Sequence, residues 1–207
     1  MRTFVYIDGF NLYYGSLKGT RHKWLDLDRF CRELLPKNRV LRIKYFSARV
    51  RARPHGPDAP KRQELYFRAL RTLPSVEIIY GGFLVSRVTM PVDGCPPGQQ
   101  RYERVIKTEE KGSDVNLAVH LVSDGYKGSY EVAVVISNDS DLSEAVRIVR
   151  HDLGLVVGVV NPHKRASAEL NQYASFTKTV RRAAVERCQF PNGLSDGKGS
   201  FHKPPTW

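Results

Sequence analysis

Two aspartates, Asp139 and Asp141, follow the apolar run Val132-Ala133-Val134-Val135-Ile136 after two small polar residues, Ser137 and Asn138. Five consecutive apolar, mostly β-branched residues predict a strand buried on both faces, as in a parallel sheet. Beyond the acids, Leu142, Ala145, Val146 and Val149 recur at i, i+3, i+4 and i+7, the apolar stripe of a helix. The acid pair therefore stands where a central strand hands over to a helix. In an open α/β sheet this is the crevice at the carboxyl ends of the strands, where ligands bind. Capping of the helix explains one acid there, but less easily two.

Two further acids occupy places of the same type. Asp8 closes the run Thr3-Phe4-Val5-Tyr6-Ile7 and is followed by Gly9, Phe10 and Asn11, and Asp114 opens a helix after Lys111-Gly112-Ser113. A helix crossing between parallel strands begins on the side where strands end, so all four acids can converge at one crevice. Carboxylates side by side raise each other's pKa unless a cation or a shared proton intervenes. Mg²⁺ or Mn²⁺, hard ions that accept oxygen ligands and keep waters, is the economical solution. Such a site suits phosphodiester cleavage, with the metal acidifying a water and steadying charge on the phosphate.

The elements that must position these acids alternate along the chain. Strands are predicted at 3–7, 42–46, 76–80, 132–136 and 155–160, and helical segments at 12–17, 27–34, from Pro60 to about Leu73, and from Ser113 with a stripe of Val115, Ala118, Val119 and Val122. A closing helix is expected from Ala168 to about Glu186. Alternating strands and helices imply parallel strands with right-handed crossovers, hence a doubly wound sheet. There is no GxGxxG after the first strand and no GxxxxGK[ST], which argues against dinucleotide-binding and P-loop folds. Residues 83–107 interrupt the alternation as an insertion whose flanks, 84–89 and 101–106, can pair as a hairpin. The expected organisation is one domain over 1–187 and a flexible basic tail over 188–207, rich in Gly, Pro, Ser and Lys.

The charge balance names a partner class. Lys and Arg number 33 against 21 Asp and Glu, a net charge of +12. A surplus of this size favours a polyanion, nucleic acid before anionic membrane. Candidate clamp residues are Arg49, Arg51, Arg53, Arg101, Arg104, Lys107, Lys111, Lys164 and Arg165, with Lys18, Arg21 and Lys23 in a basic loop. No stretch reaches the roughly 20 apolar residues of a membrane span. With no signal-like segment at Met1 and three scattered cysteines outside any CxxC pair, a cytoplasmic setting with reduced thiols is expected.

The three acidic segments resemble the signature blocks of NYN domains, the PIN-like nuclease members also grouped as the LabA-like or DUF88 family. The matching residues are Tyr6-Ile7-Asp8-Gly9-Phe10-Asn11-Leu12-Tyr13, Lys111-Gly112-Ser113-Asp114-Val115-Asn116-Leu117-Ala118 and Ile136-Ser137-Asn138-Asp139-Ser140-Asp141-Leu142. The resemblance implies a PIN-like three-layer α/β/α sandwich with a central, mainly parallel sheet. It implies a Mg²⁺- or Mn²⁺-dependent ribonuclease site on Asp8, Asp114 and Asp139, with Asp141 and Asn11 assisting and Ser137 a small polar residue near the metal. Ser137, Lys111, Arg49, Arg51, Arg104 and Lys107 are the expected substrate contacts. PIN-like domains often pair, so a homodimer stays open. His120 stands where many relatives carry an acid.

Plainer readings stand beside these. Asp8, Asp114 and Asp141 can each be a helix cap, and Asp124 is assigned no chemistry. Tyr13 and Tyr14 either stack on bases or pack in the core. The family also suits a catalytically silent RNA-binding module, and a metal-dependent phosphatase is a weaker third reading, since a small substrate needs no extended basic surface.

Overall fold

The computed structural model describes residues 1–52, 56–96, 98 and 100–207. Arg53, one of the proposed clamp residues, lies outside them. In chain order the elements are β1 (Arg2–Asp8), α1 (Gly9–Leu12, extended by a wider turn to Leu17), α2 (Leu27–Leu34), β2 (Arg39–Ser47), α3 (Ala59–Leu70), β3 (Val76–Tyr80), β4 (Gly82–Pro91) and β5 (Tyr102–Lys111). They continue as α4 (Ser113–Tyr126), β6 (Val132–Ile136), α5 (Ser143–Arg147), β7 (Val156–Asn161), α6 (Ala168–Gln172), β8 (Phe176–Thr179), α7 (Arg182–Arg187), β9 (Gly193–Asp196) and β10 (Gly199–His202).

Six strands form one sheet in the order β3-β2-β1-β6-β7-β8, all neighbours parallel. The chain winds outward from β1 to β3, then returns to the other side of β1 and winds away through β6, β7 and β8. The reversal falls between β1 and β6. That is the topological switch point, where the loops leaving two adjacent strands diverge and open a crevice. Asp8 ends the first of these strands and Asp139 follows the second.

Apolar residues on the two faces of the sheet feed two cores. On one side Val5, Ile7, Ile43 and Val134 meet α2, α3 and α7. On the other, Tyr6, Phe46, Ala133 and Val135 meet α4, α5 and α6. β6 is buried along its whole length, as five β-branched and small residues with no polar face require. Asp26 caps α2 by accepting from the Arg29 N–H at 3.0 Å, and Pro60 sits in the first turn of α3. Leu142, Ala145, Val146 and Val149 all face the core.

Three sequence expectations change, while the hairpin expected over 83–107 is present with longer strands. The apolar stripe of α4 is rotated: Leu117 and Leu121 are buried, whereas Val115 and Val119 are 66% and 60% exposed. The helix carries two competing apolar rows. The inward one is the row shared with Asp124, whose carboxylate accepts from Lys44 Nζ at 2.6 Å and Tyr6 OH at 2.7 Å. A buried carboxylate with two donors fixes the helix phase more firmly than two valines do.

The single helix expected over 168–186 divides into α6, β8 and α7. Phe176-Thr177-Lys178-Thr179 has strand character, and the Phe176 ring lies over Gly158 so closely that a Cβ there would stand 2.2 Å from it. The 83–107 insertion forms the antiparallel ribbon β4–β5, pairing Leu84 with Glu109 and Thr89 with Arg104, and it runs on to Lys111.

Finally, residues 188–207 form a packed segment where a flexible tail was expected. β9 and β10 make a hairpin, and Phe190, Phe201 and Trp207 surround Trp24, with ring centroids 5.8, 6.4 and 6.3 Å away. Three aromatics dispersed among Gly, Pro and Ser bury enough apolar surface to order an otherwise polar segment. Among the described residues, no helix is long and apolar enough to cross a membrane.

Candidate active site

The first block of the site is built by β1 and α1. Asp8 is 4% exposed, and its carboxylate accepts from the Asn11 backbone N–H at 2.9 Å and from the Ser137 hydroxyl at 2.9 Å. It caps α1, so the capping and the chemical readings describe one side chain. Gly9 lets the turn lie against β2, since a Cβ there would stand 2.6 Å from the Tyr45 ring. Burial pushes the Asp8 pKa up, opposed by the two hydrogen bonds and aided by the Asp139 charge.

The third block is laced to the first. Asn11 Oδ1 accepts from the Asn138 N–H at 3.0 Å, and the Ser137 hydroxyl accepts from the Asp139 N–H at 3.1 Å. Ser137 is fully buried and both its bonds are internal. It braces Asp8 against Asp139, which corrects its expected role as a substrate contact. Asp139 Oδ1 accepts from the Asp141 N–H at 3.0 Å, so Asp139 is the cap and Asp141 the exposed acid on the turn it caps. Asn138 reaches across to the loop before α6, donating to the Arg165 carbonyl and accepting from the Ser167 N–H.

The second block enters from the ribbon. Gly112, with φ 91°, makes the left-handed turn between β5 and α4. Ser113 gives both its N–H and its hydroxyl to Glu110 Oε1, at 3.1 and 2.6 Å. Asp114 follows in the first turn of α4, half-buried and without a protein hydrogen bond among the described residues. Its pKa is pushed up to about 7 by burial and then by the charges of Asp8, Asp139, Glu110 and Asp141. Five carboxylates from four segments therefore act on one crevice.

Glu110 is the acid that sequence reasoning missed. The available signal was its place three residues before Ser113, a spacing that lets a side chain cap the helix start. His120 is turned to the interior of the α4 face, with Nδ1 3.1 Å from Lys44 Nζ and its ring against Phe46.

All-oxygen, strongly anionic surroundings suit a hard divalent cation chemically. Among the described residues, however, no group of three or more His, Cys, Asp or Glu side chains is arranged to hold a metal ion. The two observations agree once ranges are compared. Coulomb coupling extends beyond a coordination shell, and Mg²⁺ is commonly held by one or two carboxylates with waters and substrate phosphate completing the shell.

The basic candidates divide. Arg49 and Arg51 lie in the loop after β2, at the same carboxyl edge as Asp8. Gln63 ties this loop to α3, Arg49 pairs with Glu64 at 3.0 Å and Arg51 is exposed. Lys107 pairs with Glu109 at 2.9 Å and Lys111 stands 3.8 Å from the same acid. Arg104 is exposed on the opposite face of the ribbon. Tyr13 packs against the core while Tyr14 is 56% exposed.

Residues 2–180 match the NYN domain family, a span containing all three acidic blocks in order. The chain belongs to the NYN domain family. An NYN domain carries a nuclease-like superfamily membership with it. Among relatives, 6-hydroxy-3-succinoylpyridine 3-monooxygenase HspA of Pseudomonas putida (strain DSM 28022 / S16) is 31% identical, the alignment covering 100% of this chain and 75% of that protein. A crystal structure of a protein of unknown function from Vibrio parahaemolyticus RIMD 2210633 has the same fold, with a TM-score of 0.56 at 17% identity over 87% of this chain and 93% of that one. The NYN blocks are thus the parts of the chain that meet at the β1–β6 switch point.

Proposed function

We propose that this NYN domain is a metal-dependent endoribonuclease that cleaves RNA phosphodiester bonds at the crevice between β1 and β6. The observation that carries the reading is Asp114. A half-buried carboxyl pushed up to about 7 by burial and then by four neighbouring acids is poised to take a cation or a proton. Asp114 together with Asp8 or Asp139 would hold Mg²⁺ or Mn²⁺, with waters and a substrate phosphate completing the shell. When bound, the ion would polarise a scissile phosphate and acidify a water.

The chain's own residues supply the rest. Asn11 and Ser137 fix the direction of the Asp8 carboxylate. Asp139 holds Asp141 at the rim, where an exposed carboxylate can orient or accept a proton from an attacking water. The surplus of +12 supports a polyanionic substrate, with Arg49 and Arg51 beside the Asp8 end of the sheet.

The test is cleavage of end-labelled RNA by the purified protein with Mn²⁺, with Mg²⁺ and with EDTA, alongside Asp139→Asn. Metal-dependent cutting reduced at least about 100-fold in the variant, at unchanged RNA affinity, is the expected result. Binding without cutting by either form assigns the domain to the silent RNA-binding class instead.

A second reading rests on the 31% identity to HspA across the whole of this chain, since that protein is named as a monooxygenase of 6-hydroxy-3-succinoylpyridine. Oxygen consumption with that substrate and a two-electron reductant tests it, and turnover there without RNA cleavage would replace the nuclease reading.

A further inference from the structure

The β4–β5 ribbon stands apart from the six-stranded sheet, and its two faces differ in chemistry. In an antiparallel pair, directly opposed residues point to the same side. The cross-strand pair Phe83–Glu110 at the root defines one face. The Phe83 ring lies 5.9 Å from the Phe10 ring, two residues beyond Asp8, and Glu110 bonds Ser113 beside Asp114. This face therefore opens onto the carboxylate crevice.

Continued outward by the alternation of the strands, the same face carries the pairs Arg87–Ile106, Thr89–Arg104 and Pro91–Tyr102. Arg87 and Arg104 line a shallow depression of about 220 Å³ with Ile106 and the adjoining Val105. Among the described residues, neither guanidinium has an acidic partner, and beyond Glu110 this face bears no acid. The other face holds Glu103, Glu109, Lys107 and Lys111, and there the lysines approach Glu109. Ile106 and Tyr102, 69% and 57% exposed, interleave with the arginines on the crevice side.

We propose that the crevice-side face of this ribbon is a guide for a single RNA strand leading to the acids, with Arg87 and Arg104 taking backbone phosphates and Tyr102 and Ile106 meeting the bases. The proposal rests on the nuclease reading and adds to it a substrate-binding residue, Arg87, and a path. At about 3.3 Å per strand residue, Arg87 stands about 13 Å and Arg104's partner Thr89 about 20 Å out from Phe83. Phosphates contacted there lie several nucleotides from the one being cut. Unpaired arginines with exposed aromatic and aliphatic surface between them are the pattern that holds a single strand without reading its sequence.

The test measures affinity, in a chain carrying Asp139→Asn so that RNA is not consumed. Fluorescence anisotropy with a labelled single-stranded oligoribonucleotide compares this chain with the same chain bearing Arg87→Gln and Arg104→Gln. Lys37→Gln with Arg39→Gln, at the opposite edge of the sheet, removes the same charge. Each single-strand phosphate contact contributes about 0.7 to the slope of log affinity against log salt. Loss of two contacts should lower the slope by about 1.4 and weaken binding about tenfold near 0.15 M salt. The control should change affinity less than about twofold.

Equal losses in the two double variants, or none in either, overturn the guide and leave the nuclease reading in place. Failure of the parent chain to bind RNA at all overturns both. If Ile106→Asp halves the mass measured by light scattering and leaves RNA affinity unchanged, the face belongs to a second copy of the chain and the guide falls.

Discussion

Replacing Asp114 with asparagine should stabilise the fold while abolishing its chemistry. Asp114 makes no hydrogen bond that asparagine would lose, and its surroundings are Asp8, Asp139, Glu110 and Asp141. A rise from the ordinary 3.8 to about 7 means that the folded state holds the proton more tightly than the unfolded chain. The folded protein is therefore penalised as the pH climbs from about 4 to 7, and the full penalty persists above that window. At about 1.36 kcal/mol per pH unit the difference is about 4 kcal/mol. Asp114 is half-exposed, and solvent screening reduces this to about 2 kcal/mol.

The amide carries no charge, so Asp114→Asn should raise the melting temperature by about 4–8 °C near pH 8, given about 2–4 °C per kcal/mol for a domain of this size. The gain should shrink toward zero near pH 4. Thermal unfolding followed by circular dichroism at both pH values, with and without Mn²⁺, measures it. Added Mn²⁺ should stabilise the parent more than the variant, because it removes the same repulsion. A variant less stable than the parent at pH 8, or a difference independent of pH, would refute the claim that these acids strain one another.

Three further perturbations probe the supports of the site. Ser137→Ala removes the hydroxyl shared by Asp8 and the Asp139 N–H and should cost about 1–3 kcal/mol in urea unfolding; a change below about 0.5 would deny the brace. Lys44→Met leaves the Asp124 carboxylate buried with Tyr6 as its remaining donor and should cost about 3–5 kcal/mol by the same measurement, where a near-neutral result would mean the pair is hydrated. Phe201→Ala withdraws an aromatic from Trp24 and should cost about 3 kcal/mol, whereas a flexible tail predicts no effect.

Much of the sheet was legible because its signals are local. The run Val132–Ile136 has no polar face, and no other element short enough for it buries both sides. Val76–Tyr80 is bounded by Pro74 and Gly81, which fix its ends. Helix phase was less legible. In α4 the valine row and the leucine row are equally apolar, and the choice between them is made by Lys44 and Tyr6, which lie about 80 and 118 residues away in sequence. The C-terminal segment fails as a sequence reading for a related reason. Composition averages Phe190, Phe201 and Trp207 over many Gly, Pro and Ser residues, but packing on Trp24 depends on those three rings alone.

The acids of the site were legible for the opposite reason: local physics gives them no complete explanation. A cap needs one oxygen, and Asp8 and Asp139 each provide that oxygen to a backbone N–H while adding charge to a crowded crevice. Asp114 caps nothing, because Glu110 already serves the start of α4. A residue that raises the free energy of the folded state and satisfies no local donor is one that the nuclease reading accounts for better than capping does. Glu110 was missed because it looks like one more charge in the polar run Thr108-Glu109-Glu110-Lys111, and only the turn at Gly112 brings it back over Ser113. That turn also aims the crevice-side face of the ribbon at the acids. A single left-handed glycine thus couples the placement of Asp114 to the direction of the ribbon. Gly112→Ala, strained at φ 91°, should disturb cleavage and RNA affinity together, whereas Asp114→Asn should separate them.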